Sequence, residues 1–262
     1  MNRVLAAARL QLVHPLVILG VPWMVGGISF AINWAVWRLV DIRSLEGDDG
    51  FTGGVSALYI TVLVVFVQTV TQLMPFAMGI SLSRRSFFLG TCLVAVGMTA
   101  GYGIALAILD VVESATGGWG VGLQFWTPSP LDADGFLPQV AASGGPLLAL
   151  IAAGVGMGVV SKRWGPNGVW GLIIGTTVVL GGATVLISWL RVWTDLGRWL
   201  GDQSLMTLSV GLPLAVAVVL GVLAFAGIRR VVPCGGANRA HIGPRFRHHG
   251  TGADDVYPRY CR

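Results

Sequence analysis

The sequence predicts an all-α membrane protein: six transmembrane helices with both termini in the cytoplasm, an interfacial helix before the first span, and a short outer-side helix between the fifth and the sixth. Three observations predict it. Apolar residues make up 54% of the 262 and charged ones only 11%, a membrane balance and not a soluble one. The charges cluster between uncharged runs that reach the roughly 20 helical residues needed to cross a hydrocarbon core. Successive clusters also alternate in character along the chain, basic then acidic, as consecutive loops on opposite sides of a bilayer do.

The expected spans run about Leu16 to Val36, Val55 to Met78, Leu89 to Val112, Pro146 to Val160, Val169 to Leu190 and Leu205 to Ile228, with the fourth free to begin as early as Gln139. Ahead of the first, Met1, Val4, Leu5, Ala8 and Leu12 share one helical face opposite Asn2, Arg3 and Arg9. That pattern fits a helix lying on the inner leaflet, or equally a frayed terminus. The run after Arg9 is too long for a cleaved signal and ends in Trp34 and Trp37, so it is read as an uncleaved first helix. Between spans five and six, Val192, Leu196, Trp199 and Leu200 recur at helical spacing, while Arg191, Asp195, Arg198 and Asp202 alternate in sign. This predicts a short outer-surface or re-entrant helix, with a plain loop as the alternative. Residues 1–232 thus form the six-helix transmembrane domain. Residues 233–262, rich in Gly, Arg and His without apolar periodicity, read as a disordered cytoplasmic tail.

Orientation follows from the loops. Arg3 and Arg9, Arg84 and Arg85, Lys162 and Arg163, and Arg229 and Arg230 fall on one side with no acid among them. Asp41, Glu46, Asp48, Asp49, Asp110, Glu113, Asp132, Asp134, Asp195 and Asp202 fall on the other. The positive-inside rule makes the first side cytoplasmic. Trp34, Trp37, Trp189 and Trp193 sit at expected outer boundaries and Trp164 and Trp170 at an inner one, where amphipathic rings settle. The net charge of +5 is accounted for by these loops and the tail, without nucleic acid as a partner. Sixteen arginines against the single Lys162 suit a GC-rich bacterial genome. The expected location is therefore the bacterial plasma membrane.

The spans hold almost no ionisable group, which weighs against a proton-coupled pump or channel. Asp110 and Glu113, at the outer end of span three, read as solvated topology signals before they read as a mouth for a cationic substrate. The only histidine outside the tail is His14, which removes Ser-His and Cys-His nucleophile pairs and bis-histidine haem ligation. Cys92, Cys234 and Cys261 form neither a disulfide framework nor a metal spacing, and His241, His248 and His249 follow no metal-site pattern. Lys162 is followed by Arg163 and lacks the glycine frame of a P-loop. An enzyme is not expected, nor a cofactor held by this chain.

Uncharged polar residues are more informative. Thr61, Gln68 and Gln72 form one stripe on span two, and Thr177, Gly181, Thr184 and Ser188 another on span five. Such stripes either bond neighbouring helices or line a path for a partly polar ligand. Gly97 and Gly101, and Gly154 and Gly158, match the small-xxx-small pattern of close helix contact, and Pro22 and Pro213 are expected to kink spans one and six.

The stretch from Pro75 to Thr91, PFAMGISLSRRSFFLGT, resembles the cytoplasmic link between spans two and three of bacterial ABC-2 type transporter permeases. The resemblance covers about residues 1–232 as an architecture and not as an invariant motif. It implies a short helix in that link, with Ser83, Arg84, Arg85, Ser86 and Phe87 docking on a separate ABC ATPase that binds ATP and Mg. The competing reading of the same residues is simply a positively charged loop. It also implies a pair of permeases, homodimer or paralogue, with Thr61, Gln68, Gln72, Thr177, Thr184 and Ser188 along the translocation path of an amphiphilic substrate such as a peptide antibiotic, drug or lipid. The alternative is a non-transport membrane assembly or anchoring factor.

Overall fold

The computed structural model describes residues 3–13, 15–40, 50–126, 133 and 135–230. His14, the acids of 41–49, Asp132, Asp134, and the tail expected over 233–262 lie outside these residues. The described chain is almost wholly helical: α1 (Arg3–Gln11), α2 (Val21–Val40), α3 (Ser56–Gly79), α4 (Arg84–Ala115), α5 (Phe136–Leu190), α6 (Trp193–Asp202) and α7 (Leu212–Arg230). Its one parallel pair, β1 (Gly50–Phe51) with β2 (Leu123–Gln124), is two residues long and ties together the connections that follow α2 and α4. Five stretches are long and apolar enough to cross a membrane, Leu16–Leu39, Gly53–Gly79, Arg84–Ala115, Phe136–Leu190 and Thr207–Ile228, compatible with a multi-pass membrane protein.

α5 contains two of the expected spans. It runs for 55 residues, interrupted at Gly165, whose φ of 66° and ψ of −161° belong to no helix. That combination suits glycine, which has no Cβ to clash, and Pro166 follows it without an N–H to give to the preceding turn. The two halves differ sharply in surroundings. Before the break Leu147, Ile151, Val155 and Val159 are buried, whereas residues 171–186 are exposed throughout.

The core joins α3 to the first half of α5. Leu58, Val62, Phe66 and Val70 recur every four residues on α3 and are buried. Opposite them stand Gly154 and Gly158, where an added Cβ would lie 2.5 Å from the Leu63 carbonyl oxygen and 2.7 Å from Val70 Cβ. Close backbone approach and interlocking side chains hold helices together where lipid removes the hydrophobic gain. The other expected pair differs: nothing lies within 4 Å of a Cβ added at Gly97 or Gly101. The small residues that bring α4 against its neighbours are instead Gly90, whose added Cβ would meet Ala7 Cβ of α1 at 2.8 Å, and Gly103, whose added Cβ would lie 2.6 Å from the Val140 carbonyl oxygen of α5.

Both expected kinks take the form of a π-turn just before the proline, Leu16–Gly20 ahead of Pro22 and Thr207–Gly211 ahead of Pro213. A proline offers no N–H to the carbonyl four residues back and its ring crowds that carbonyl, so a wider turn relieves both. Around Pro22 the loosened carbonyls are met from another helix: the Tyr102 hydroxyl donates to Leu19 O at 3.2 Å and lies 3.5 Å from Ile18 O. Around Pro213 the Ser209 carbonyl faces the backbone of Gly145, where no Cβ could fit.

Candidate functional site

Three helices meet at the end of the bundle that carries the arginine pair. Ser83 caps α4: its hydroxyl accepts the Ser86 N–H at 3.1 Å and pairs with the Ser86 hydroxyl at 2.8 Å. Arg84 and Arg85 are therefore the first two residues of the 32-residue α4. No separate short helix occupies the link expected to hold one; α3 ends at Gly79, and the chain turns through Ser81 at a φ of 61°. The serine cap explains the difference, because it allows the span helix to start directly at the arginines.

Arg84 donates to the Ile228 carbonyl at 3.4 Å, placing a cation on the last turn of α7, where helix carbonyls are unpaired and the helix dipole is negative. Arg85 is exposed and Phe87 is buried at 1% exposure. Of the five expected docking residues, Phe87 is thus a core side chain in this conformation, and Ser83, Arg84, Arg85 and Ser86 remain at the surface or partly so. One turn further on, the Gln11 amide donates to the Thr91 hydroxyl at 2.7 Å, and both residues are buried. The Thr91 hydroxyl in turn donates to Phe87 O at 3.0 Å. The Arg84 and Gln11 bonds therefore tie α1, α4 and α7 together around the turn at 83–87.

Beside this junction Gln68 and Gln72 of α3 face a small cavity of about 130 Å³ with Gln11 and Thr69. The Oε1 of Gln11 is buried with no hydrogen-bond partner. The cavity brings together two of the stripe residues with a third glutamine that the sequence analysis did not single out, because its position in a short flanking helix carries no span periodicity. Thr61, the third stripe residue of α3, bonds its own helix at Ala57 O, 2.7 Å away.

The stripe on the second half of α5 is not joined to it. Thr177, Thr184 and Ser188 are exposed, and their hydroxyls return to the carbonyls of Ile173, Leu180 and Thr184 at 2.8 to 2.9 Å. Ser188 also accepts the indole N–H of Trp193 at 2.9 Å, which steadies the turn into α6. Hydroxyls satisfied within their own helix tolerate lipid and need no polar neighbour.

At the opposite end of α4, Glu113 departs from the expected solvated acid. It is buried at 4% exposure and accepts three N–H groups: Phe125 N on Oε1 at 3.1 Å, and Trp119 Nε1 and Trp126 N on Oε2 at 3.0 and 3.2 Å. A carboxylate is acceptor-only, so donors from a folded loop are what its burial requires. The loop can curl back because Gly117, Gly118, Gly120 and Gly122 take positive φ. The curl packs Trp119 and Phe125 edge-on and Trp126 at a tilt around Phe30 of α2, at centroid distances of 5.0 to 5.5 Å. The acid was legible in the sequence; the glycines and the donors they bring to it were not.

No family model, curated protein or solved structure matches the chain. Among the described residues no three metal-binding side chains cluster.

Proposed function

We propose that the chain is the membrane subunit of an ATP-driven exporter, with six crossings, both termini cytoplasmic, and ATP hydrolysed by a separate ABC ATPase. The observation that carries this reading is the junction at 83–87. A capped helix start with an exposed arginine is tied by Arg84 to the end of α7 and, through Thr91 and Gln11, to α1. A partner pressing on that turn would move three helices together, which is how an external energy source could drive a two-state membrane element. Six crossings are supported by the length of α5: 55 residues at about 1.5 Å each make about 82 Å, against a hydrocarbon core of about 30 Å. The break at Gly165, beside Lys162 and Arg163, falls where a cytoplasmic connection would be. The glutamine-lined cavity gives an amphiphilic substrate its first polar contacts, and the exposed second half of α5 is available to a paired permease.

That same exposed helix favours a second reading, a membrane assembly or anchoring factor that needs only a partner surface. Purification from the native membrane in mild detergent, with and without Arg84→Glu and Arg85→Glu together, decides between them. A P-loop ATPase that accompanies the native protein and is lost from a normally inserted charge-reversed variant is the expected result. No ATPase under conditions that preserve a known complex of this kind would overturn the exporter reading.

A further inference from the structure

α4, the first half of α5 and α7 enclose a second, larger feature, an open-sided groove of about 510 Å³. Its floor is Ile151 and Val155, both buried, and its walls are Cys92 and Val96 of α4 and Val218 and Val222 of α7, all exposed. Each helix contributes a stripe at three- and four-residue spacing, so the groove runs along the bundle. From residue 85 to residue 96 that is about 16 Å at 1.5 Å per residue. Among the described residues that line it, Arg85 is the one charged group, and it stands at the end where α4 begins. Nothing lies within 4 Å of a Cβ added at Gly221, so the α7 wall is open at that point.

We propose that this groove binds one anionic phospholipid, with an acyl chain along the α4, α5 and α7 stripes and the headgroup phosphate on Arg85. The inference rests on the helices crossing a bilayer, and it commits to lipid on charge complementarity. A long uncharged trough ending in a single guanidinium matches a molecule with an apolar chain and one anionic oxygen cluster, and guanidinium bonds phosphate in a forked geometry. The α4 start is also where arginines of a spanning helix meet the headgroup layer. A polar or cationic ligand would find no partner along the walls.

Cys92 reports on occupancy because it lines the groove and is exposed. In a background carrying Cys234→Ser and Cys261→Ser it is the sole thiol. The protein is reconstituted into vesicles of phosphatidylcholine alone, or with one quarter phosphatidylglycerol, and labelled with the uncharged N-cyclohexylmaleimide. An anionic surface slows thiol labelling in every variant, so the comparison is the ratio of rates between the two vesicles. The ratio is expected to be about fivefold larger with Arg85 than with Arg85→Gln, the factor an arginine at an anionic surface contributes, and to fall between the two with Arg85→Lys, which keeps the charge but not the fork. Arg9→Gln, on the other side of α4, should leave it unchanged. Gly221→Leu should fill the trough, slowing labelling in both vesicles and removing the extra lipid dependence.

Equal ratios for Arg85 and Arg85→Gln, in variants of matching helicity, would overturn the proposal. So would labelling of Gly221→Leu at the parental rate, or protection in phosphatidylcholine that rises with protein density, the mark of a second copy in the groove. Failure of the protein to float with the vesicles would instead refute the bilayer reading itself.

Discussion

Replacing Glu113 tests whether a single acid holds the loop after α4 closed. Its two oxygens accept three N–H groups at 3.0 to 3.2 Å, two of them backbone amides in a buried segment. In Glu113→Ala all three donors lose their acceptor. A buried donor left unpaired costs about 1–3 kcal/mol, so the two buried amides lose about 2–6 kcal/mol together and the part-buried Trp119 indole adds less, with the lower end applying where water enters the opened loop. Glu113→Gln is the informative partner. With its carbonyl oxygen in the place of Oε2 it keeps Trp119 Nε1 and Trp126 N but turns its amide toward Phe125 N, losing one bond of the three, about 1–3 kcal/mol. Hydrogen exchange at the Phe125 and Trp126 amides reads the local opening, and equilibrium unfolding in mixed micelles, followed by tryptophan fluorescence, reads the global effect. The expected order is wild type, then Gln, then Ala, with Phe125 exchanging faster than Trp126 in the Gln variant. If Glu113→Ala exchanges at the wild-type rate and unfolds within about 0.5 kcal/mol of it, the carboxylate does not organise the loop and the argument from unsatisfied donors fails.

Five further substitutions probe how the helices are held. Gly158→Ala, which would press a methyl to 2.7 Å from Val70 Cβ, should cost about 1–3 kcal/mol in micelle unfolding, whereas Gly97→Ala, with nothing within 4 Å, should be neutral or gain up to about 1 kcal/mol. Tyr102→Phe keeps the ring stacked on Trp23 at 5.3 Å but removes the donor to Leu19 O, and should lower stability by about 0.6–2 kcal/mol in the same assay. Gln11→Met and Thr91→Val should each destabilise, yet together fall short of the sum by about 0.5–2 kcal/mol in a double-mutant cycle, since the pair is then replaced as a whole.

The apolar stretches were legible because length and hydropathy are properties of a segment, and the greater part of each expected span falls in a helix. Their ends were not. α4 begins at Arg84 and not near Leu89 because Ser83 caps it, and α5 begins at Phe136, ahead of both expected starts, Gln139 and Pro146. The buried Gln139 secures that first turn by accepting the Ala133 N–H at 2.8 Å. The polar residues of the stripes were also found in sequence, and of these Gln68 and Gln72 line a cavity together.

What the sequence determined by itself is what depends on one segment and its solvent: helices, apolar length, the clustering of charge and the two prolines. What only the tertiary structure decided is which faces meet. A small-xxx-small pattern marks a face that could be approached closely but does not name the neighbour, so Gly154 and Gly158 pack against α3 while Gly97 and Gly101 stay open. An acid at a helix end has the same letter whether water or a folded loop supplies its donors. Glu113 is buried because glycines some residues later bring three N–H groups back to it. Contact between residues far apart in the chain is a property of the assembled bundle, and no local pattern encodes it.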